Sequence, residues 1–377
     1  MAIEKTGIVL DSCFMDHKTG LGCPECPARL QRLFPVVLES PLSDHLILIP
    51  STPATVSEIR RVHSAGYLDK VKSTEGGRTI MLDADTCASA DSYRTAMIAA
   101  GGVCRAVDAV CAGLVHNAFA LVRPPGHHAE RNASKGFCLY NNIAVAAKYA
   151  QKTRSVGRVL IVDWDLHHGN GTQHCFEDDP TVLFFSTHLK WIFPGSGRFS
   201  EEGTGVGAGY SVNVPLHRGL GDAEYLAIYE KSLVPIASAF RPSIILVSAG
   251  FDIHRDDPMK AMNVTEEGFA GLTEIMLRVA AESCGGKLVM VLEGGYNPSA
   301  LENSVREVLR ELTGLRRTDT HRLLQSANTA RINDVLRQVI KVHGRKWPDL
   351  KRSTPSPASV GGKLKSALLN CWNFIRG

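Results

Sequence analysis

The sequence predicts an α/β fold: a mostly parallel central sheet covered by helices on both faces. Three observations predict it. From residue 117 to 313, continuous Val/Ile/Leu runs alternate with amphipathic stretches, the pattern of a parallel sheet buried on both sides. With 377 residues and 44% hydrophobic content, the chain can bury the core of one large α/β domain or two ordinary ones. The polar clusters also sit directly after apolar runs, where open α/β sheets place their ligand sites.

In chain order, GIVLD (7–11) and LILIP (46–50) read as strands, and Ser89 to Gly113 as a long Ala-rich helix. NAFALV (117–122), RVLIVD (158–163), TVLFFST (181–187), YSVNV (210–214), SIILVSA (243–249) and KLVMVLE (287–293) are the β-branched, strand-like runs. Helical patterns near 140–153, 222–240, 265–283 and 298–313 lie between or after them. Residues 1–314 are expected to form one domain, with 315–377 a basic extension. That extension reads as a helix over 327–343, a Ser/Pro/Gly linker from Ser353 to Gly362, and a short amphipathic helix with Leu364, Leu368, Cys371 and Ile375 on one face. The last of these suits docking on the chain's own core or on another subunit, so a homo-oligomer is one option.

Composition narrows the function classes. No apolar run of about 18 residues exists, so no membrane span is expected. The N-terminal MAIEKTGIVLD begins a strand at once and lacks a signal-peptide core. Ten cysteines without regular spacing, some inside apolar helices (Cys104, Cys111), suit reduced thiols and a cytoplasmic location. Cys23 and Cys26 form a lone CxxC, read as a tight turn before a helix. From Arg316 onward, 13 Lys and Arg face 3 Asp, so the extension carries about +10 and the rest about −6 of the net +4. A mildly acidic body suits a cationic or lysine-bearing substrate better than nucleic acid.

The most informative stretch is Ile161-Val-Asp-Trp-Asp-Leu-His-His-Gly-Asn-Gly-Thr172. Residues two apart on an extended strand end share a face, so Asp165 and His167 can converge on one metal ion with Asp163 one step behind. His168 should then point away. Asp252, closing SIILVSA-Gly-Phe-Asp, offers a third ligand. Two Asp and one His leave an open coordination position, the arrangement of a catalytic zinc. Arg123-Pro-Pro-Gly-His-His128 places two histidines on a stiffened loop, suited to acid/base work. Glu293-Gly-Gly-Tyr296 brings a close backbone approach and a phenol able to donate to an oxyanion.

PPGHH, DWDLHHGNGT, SAGFD and EGGY, in this order and spacing, resemble the zinc-dependent histone deacetylase superfamily, which includes bacterial histone-deacetylase-like amidohydrolases and acetylpolyamine amidohydrolases. The resemblance covers about residues 5–313, and Asn170 is similar to class II members. It implies the three-layer arginase-deacetylase fold, with residues 1–314 as the catalytic domain. It implies one Zn2+ per chain on Asp165, His167 and Asp252. His128 would be general base and later acid, and His127 its electrostatic partner, oriented by Asp163. Asn170 would hydrogen-bond His128 and leave it less basic than a carboxylate would. Tyr296 would stabilise the oxyanion. Phe137 and Phe193 would wall an acyl-lysine tunnel, with Gly136 and Gly294 beside them, and Asp85 (or Asp83) would fix the substrate backbone from the rim. Structural K+ or Na+ is implied at Asp163, Asp165, His167, Ser186 and Thr187, and a second ion at Phe176, Asp179, Val182 and Tyr210.

The expected reaction removes acetyl or other acyl groups from lysine ε-amines in proteins or peptides, the alternative substrates being acetylpolyamines or other small N-acyl amines. No inserted loop stands between Asp85 and Arg123 to narrow the entrance, which favours acyl-lysine. A dinuclear arginase-type hydrolase fits less well, because Gly169 and His254 stand where further carboxylate ligands would be needed. A module that only binds acyl-lysine is disfavoured by intact His128 and Tyr296.

Overall fold

The apolar runs form strands, and all the long ones run the same way. The computed structural model describes residues 5–352. Its strands are β1 (Thr6–Val9), β2 (Leu46–Leu48), β3 (Ile80–Met81), β4 (Cys87–Ala88), β5 (Asn117–Ala120), β6 (Val159–Asp163), β7 (Val182–Leu189), β8 (Ser211–Leu216), β9 (Ile244–Ala249) and β10 (Leu288–Leu292). Eight of them make one sheet in the order β2-β1-β5-β10-β9-β6-β7-β8, parallel at every pairing, while β3 and β4 form a separate antiparallel pair. Parallel strands put all their C-terminal ends on one edge. The register levels them there: Asp163 of β6 pairs with Ser186 of β7 and Ser248 of β9.

The expected helices appear with boundaries set by local chemistry. Thr265 caps Glu266–Cys284, and Gly285 ends it with φ 64°. Asn297 caps Pro298–Leu312, with proline in the first turn. The stretch expected as one helix over 222–240 is interrupted by a wider, π-type turn at Tyr229–Leu233, between Asp222–Ile228 and Val234–Phe240. Pro235 has no N–H to return to the preceding turn, so regular winding cannot pass it unchanged.

At the sheet margins, β2 stops two residues before Pro50 and is short, as edge strands usually are. β8 runs on through Pro215, which an edge strand tolerates. The helix expected over 327–343 spans Thr329–His343 and lays Ile332, Val335, Leu336 and Val339 against β8 and Asp222–Ile228. Trp347 anchors the chain beyond it, donating to the Gly209 carbonyl at 2.9 Å and meeting Tyr210 edge-on. The linker from Ser353 to Gly362 and the terminal amphipathic stretch lie outside the described residues.

His343 closes that helix fully buried, and neither ring nitrogen has a hydrogen-bond partner. Burial pushes its pKa down from 6.5 to about 4. Between those values the unfolded chain binds the proton that the folded chain refuses, so stability falls as pH drops through the window. We expect a loss of about 2 kcal/mol from this group between pH 7 and 5. Unfolding free energies from urea titration at the two pH values should converge by that amount in His343→Leu.

Candidate metal centre

Four neighbouring strands in the middle of the sheet, β5, β10, β9 and β6, each end in one of the loops singled out above. Their shared direction brings the loops together at one edge. Asp165, His167 and Asp252 converge there, with one ligand atom from each lying within 4.8 Å of the others. His167 Nδ1 faces both carboxylates, 3.2 Å from Asp165 Oδ1 and 3.0 Å from Asp252 Oδ2. Backbone N–H groups fix the acids: Leu166 N donates to Asp252 Oδ1 at 2.9 Å, and Gly294 N to Asp165 Oδ2 at 2.9 Å. A Cβ on Gly294 would fall 2.6 Å from Asp165 Oδ2 and 2.7 Å from Asp252 Oδ2, so only glycine allows that approach.

This donor set fits a divalent cation. Asp165 and Asp252 are at most 1% exposed. Burial and the neighbouring Asp165 charge push Asp252 up to about 7. Burial likewise opposes charge on His167, yet the two carboxylates lift it to about 10. Two buried acids sharing one imidazole leave a negative surplus that costs several kcal/mol unless a cation joins them. His168 turns away, bonding Ser196 Oγ at 2.8 Å and Gln173 Oε1 at 3.0 Å.

The adjacent histidines are driven apart in charge. His127 Nδ1 lies 2.9 Å from Asp163 Oδ2, and Asp163 Oδ1 also accepts from Asp165 N. Oδ2 is left to face the ring nitrogen, where a carboxylate favours a proton on the imidazole. Although burial opposes it, Asp163 and Asp165 raise His127 to about 10. His128, its ring centroid 4.0 Å away, bonds the neutral Asn170 Oδ1 at 2.8 Å. Burial first, then the charges of His127 and His167, hold His128 well below its ordinary value. A protonated ring thus stands beside a neutral one.

Tyr296 presents its ring edge-on to Phe137, centroids 6.0 Å apart, with the Arg29 guanidinium 5.2 Å from it. Burial, then the Asp252 and Asp165 charges, push its phenol well above the ordinary value, so the O–H stays protonated. Phe193 leans on His128 at 5.0 Å and His167 at 6.2 Å. The two phenylalanines therefore contact different members of the cluster. Phe137 and Gly136 both have positive φ, 67° and 56°. Asp85 and Thr86 hold them there: Gly136 N donates to Asp85 Oδ1 and Phe137 N to Thr86 Oγ1, each at 3.0 Å. Asp85, expected at the rim, thus also shapes the aromatic loop.

The residues expected around monovalent ions sit in two places. Ser186 and Thr187 are buried on β7 and bond His188 and Tyr229. The Phe176 carbonyl accepts from Asp179 N, the Asp179 carbonyl from Val182 N and the Tyr210 carbonyl from Phe184 N. Lys148 already places an ammonium 2.9 Å from Asp179 Oδ2.

With this geometry in hand, comparison with known proteins is decisive. The histone deacetylase domain profile matches residues 23–312. The chain belongs to the histone deacetylase family. It is 40% identical over 302 residues to the polyamine deacetylase HDAC10 of Danio rerio, covering 77% of this chain and 44% of that protein. It is 39% identical over 308 residues to the chloroplastic histone deacetylase 14 of Arabidopsis thaliana, covering 77% and 73%. Against a probable deacetylase of Archaeoglobus fulgidus, identity is 38% over 296 residues, covering 78% and 81%. The chain therefore spans less than half of the first relative. The solved HD domain of HDA15 superposes with a TM-score of 0.85 at 36% identity, covering 93% of this chain and 98% of that one.

The chain also holds its site with residues to which motif reading gave no role. Glu293, fully buried, accepts from Gly126 N at 2.7 Å, His127 N at 3.2 Å and Ser248 Oγ at 3.0 Å, lacing three loops together. Arg29 donates to the Glu293 carbonyl at 2.5 Å and the Gly295 carbonyl at 2.6 Å. Arg29 and Arg123 both pair with Glu25, and all three are at most 1% exposed. Burial works against the Glu25 charge, but Arg123 and then Arg29 bring it down to about 2. The only sequence signal was an acid inside Cys23-Pro-Glu-Cys-Pro27, and nothing local marks it as buried. Glu25→Gln strands two guanidinium groups, so denaturant titration should show a loss of about 3–5 kcal/mol.

Proposed function

We propose that the chain is a zinc-dependent amidohydrolase that removes acyl groups from lysine ε-amines in proteins or peptides. The observation that carries this reading is the buried two-carboxylate, one-imidazole cluster of Asp165, His167 and Asp252 beside two histidines with different partners, His127 on Asp163 and His128 on Asn170. Zinc held by Asp165, His167 and Asp252 would supply Lewis acidity to a water and to the substrate carbonyl. His128, neutral, takes a proton from the attacking water through its bare Nε2 and returns it to the leaving amine. His127, charged and held by Asp163, keeps that neighbouring ring from holding a proton in the resting state. Tyr296 donates its O–H to the acyl oxygen as negative charge grows there. Phe137 and Phe193 cover the methylenes of the lysine stem. K+ or Na+ fits the buried Ser186 and Thr187 hydroxyls beside the acids; the Asp179 set, already served by Lys148, has less need of one.

Two features favour acyl-lysine over acetylpolyamines. Only the short β4 and the helix Ser92–Cys111 separate Asp85 from β5, without an added entrance loop. Lys135 Nζ also stands 5.6 Å from the Phe193 ring, placing positive charge where a polycation would enter. The relatives' names span both substrate classes and do not choose between them. Among the described residues no helix is long and apolar enough to cross a membrane, and one relative is named chloroplastic, so the compartment does not follow from the family.

Tyr296→Phe and His128→Ala should each lower turnover of an acetyl-lysine peptide by about 10²–10³. Elemental analysis should find the metal retained in both. Near-normal turnover in either variant contradicts the roles given. A panel of acetyl-lysine peptides, longer acyl-lysines and acetylpolyamines should rank the peptides first; preference for polyamines would overturn the substrate assignment.

A further inference from the structure

The reading of His128 as base requires one particular ring nitrogen to be bare, and that requirement passes to the amide beside it. Asn170 offers a carbonyl and an NH2 of nearly the same shape, so it can turn either face to the ring. With the carbonyl facing it, His128 carries its proton on Nδ1 and leaves Nε2 free. With the NH2 facing it, the tautomer is reversed and the base is lost.

Something must hold the amide one way round, and Glu130 is placed to do so. Asn170 Nδ2 lies 2.5 Å from Glu130 Oε1, while its other acceptor, the His128 carbonyl, is at 3.4 Å. An ionised carboxylate only accepts, so it dictates that the NH2 face it and the carbonyl face His128. Glu130 is itself held from two sides. His174 Nδ1 lies 2.9 Å and 3.0 Å from its two oxygens, and its backbone carbonyl accepts from His63 Nδ1 at 2.8 Å. Burial works against charge on Glu130, yet hydrogen bonds from His174 and Asn170 outweigh it and hold the carboxyl below its ordinary range.

We propose that Glu130, backed by His174, is a positioning residue that orients the Asn170 amide and thereby sets the tautomer of His128. The inference rests on the proposed role of His128. It also accounts for an amide at 170, since an aspartate there would press a second carboxylate against Glu130 at the distance of a short hydrogen bond.

The test uses the purified holoprotein labelled with 15N-histidine, with His128 ring signals assigned by their absence in His128→Gln. In the wild type, His128 should report a proton on Nδ1. Glu130→Leu should shift it toward the Nε2–H form and lower kcat about tenfold with KM little changed, the scale of other groups that orient a working side chain. Glu130→Gln, whose carbonyl still accepts from Asn170, should lose less. Asn170→Asp should fall further, and adding Glu130→Gln should recover several-fold, because the new amide can donate to the new carboxylate. Unchanged His128 signals in Glu130→Leu, or no recovery in the double variant, would overturn the proposal. A wild type inert toward every acylated amine would instead defeat the proposed function, while the ring signals would still decide the orientation of the amide.

Discussion

Two carboxylates, Asp165 and Asp252, are buried side by side at the ends of neighbouring parallel strands, and burial without a compensating cation is costly. Much of the surrounding chemistry answers that constraint. His167 turns Nδ1 toward both, Leu166 and Gly294 direct N–H groups at them, and the same acids add to burial in raising the neighbouring phenol of Tyr296. His127, close to Asp165 and bonded to Asp163, takes up positive charge, and burial together with that neighbouring charge keeps His128 neutral. One electrostatic demand thus yields a candidate ligand set, a base and a hydrogen-bond donor.

The scaffold makes that demand bearable by fixing loops rather than leaving them to find one another. The central order β5-β10-β9-β6 lines up four strand ends, and Glu293 ties three of the following loops through backbone and hydroxyl donors. Behind it, Glu25 with Arg29 and Arg123 forms a buried ionic knot whose outer donors reach the carbonyls flanking Gly294. Such a knot does little for net stability against an apolar substitute, but it fixes geometry. Breaking one member is what costs.

The parallel sheet was legible because its strands are continuous β-branched runs, and the candidate ligands because they stand immediately after those runs. Asp165 and His167 share the loop after β6 and Asp252 follows β9, two loops that the parallel strand directions bring together. What escaped the sequence depends on tertiary partners. Glu25 looks like a turn residue until Arg123, 98 positions away, closes on it. Asp85 reads as a rim carboxylate, and its hold on Gly136 appears only when the two loops meet. Prolines moved boundaries in both directions: Pro235 broke a helix that periodicity drew as continuous, while Pro215 stayed in a strand because that strand lies at the edge. The basic residues after Gly314 mark an extension, and partners far away in sequence give its helix a place: the apolar stripe of Thr329–His343 lies against β8.

Anomalous X-ray scattering at the zinc edge, from crystals of the purified protein, tests the central claim most directly. The account predicts one peak per chain, about 2.0–2.2 Å from an oxygen of Asp165, an oxygen of Asp252 and Nδ1 of His167. A hydrolytically active protein with no peak at that position, or with a second metal bridging the same acids, would contradict it.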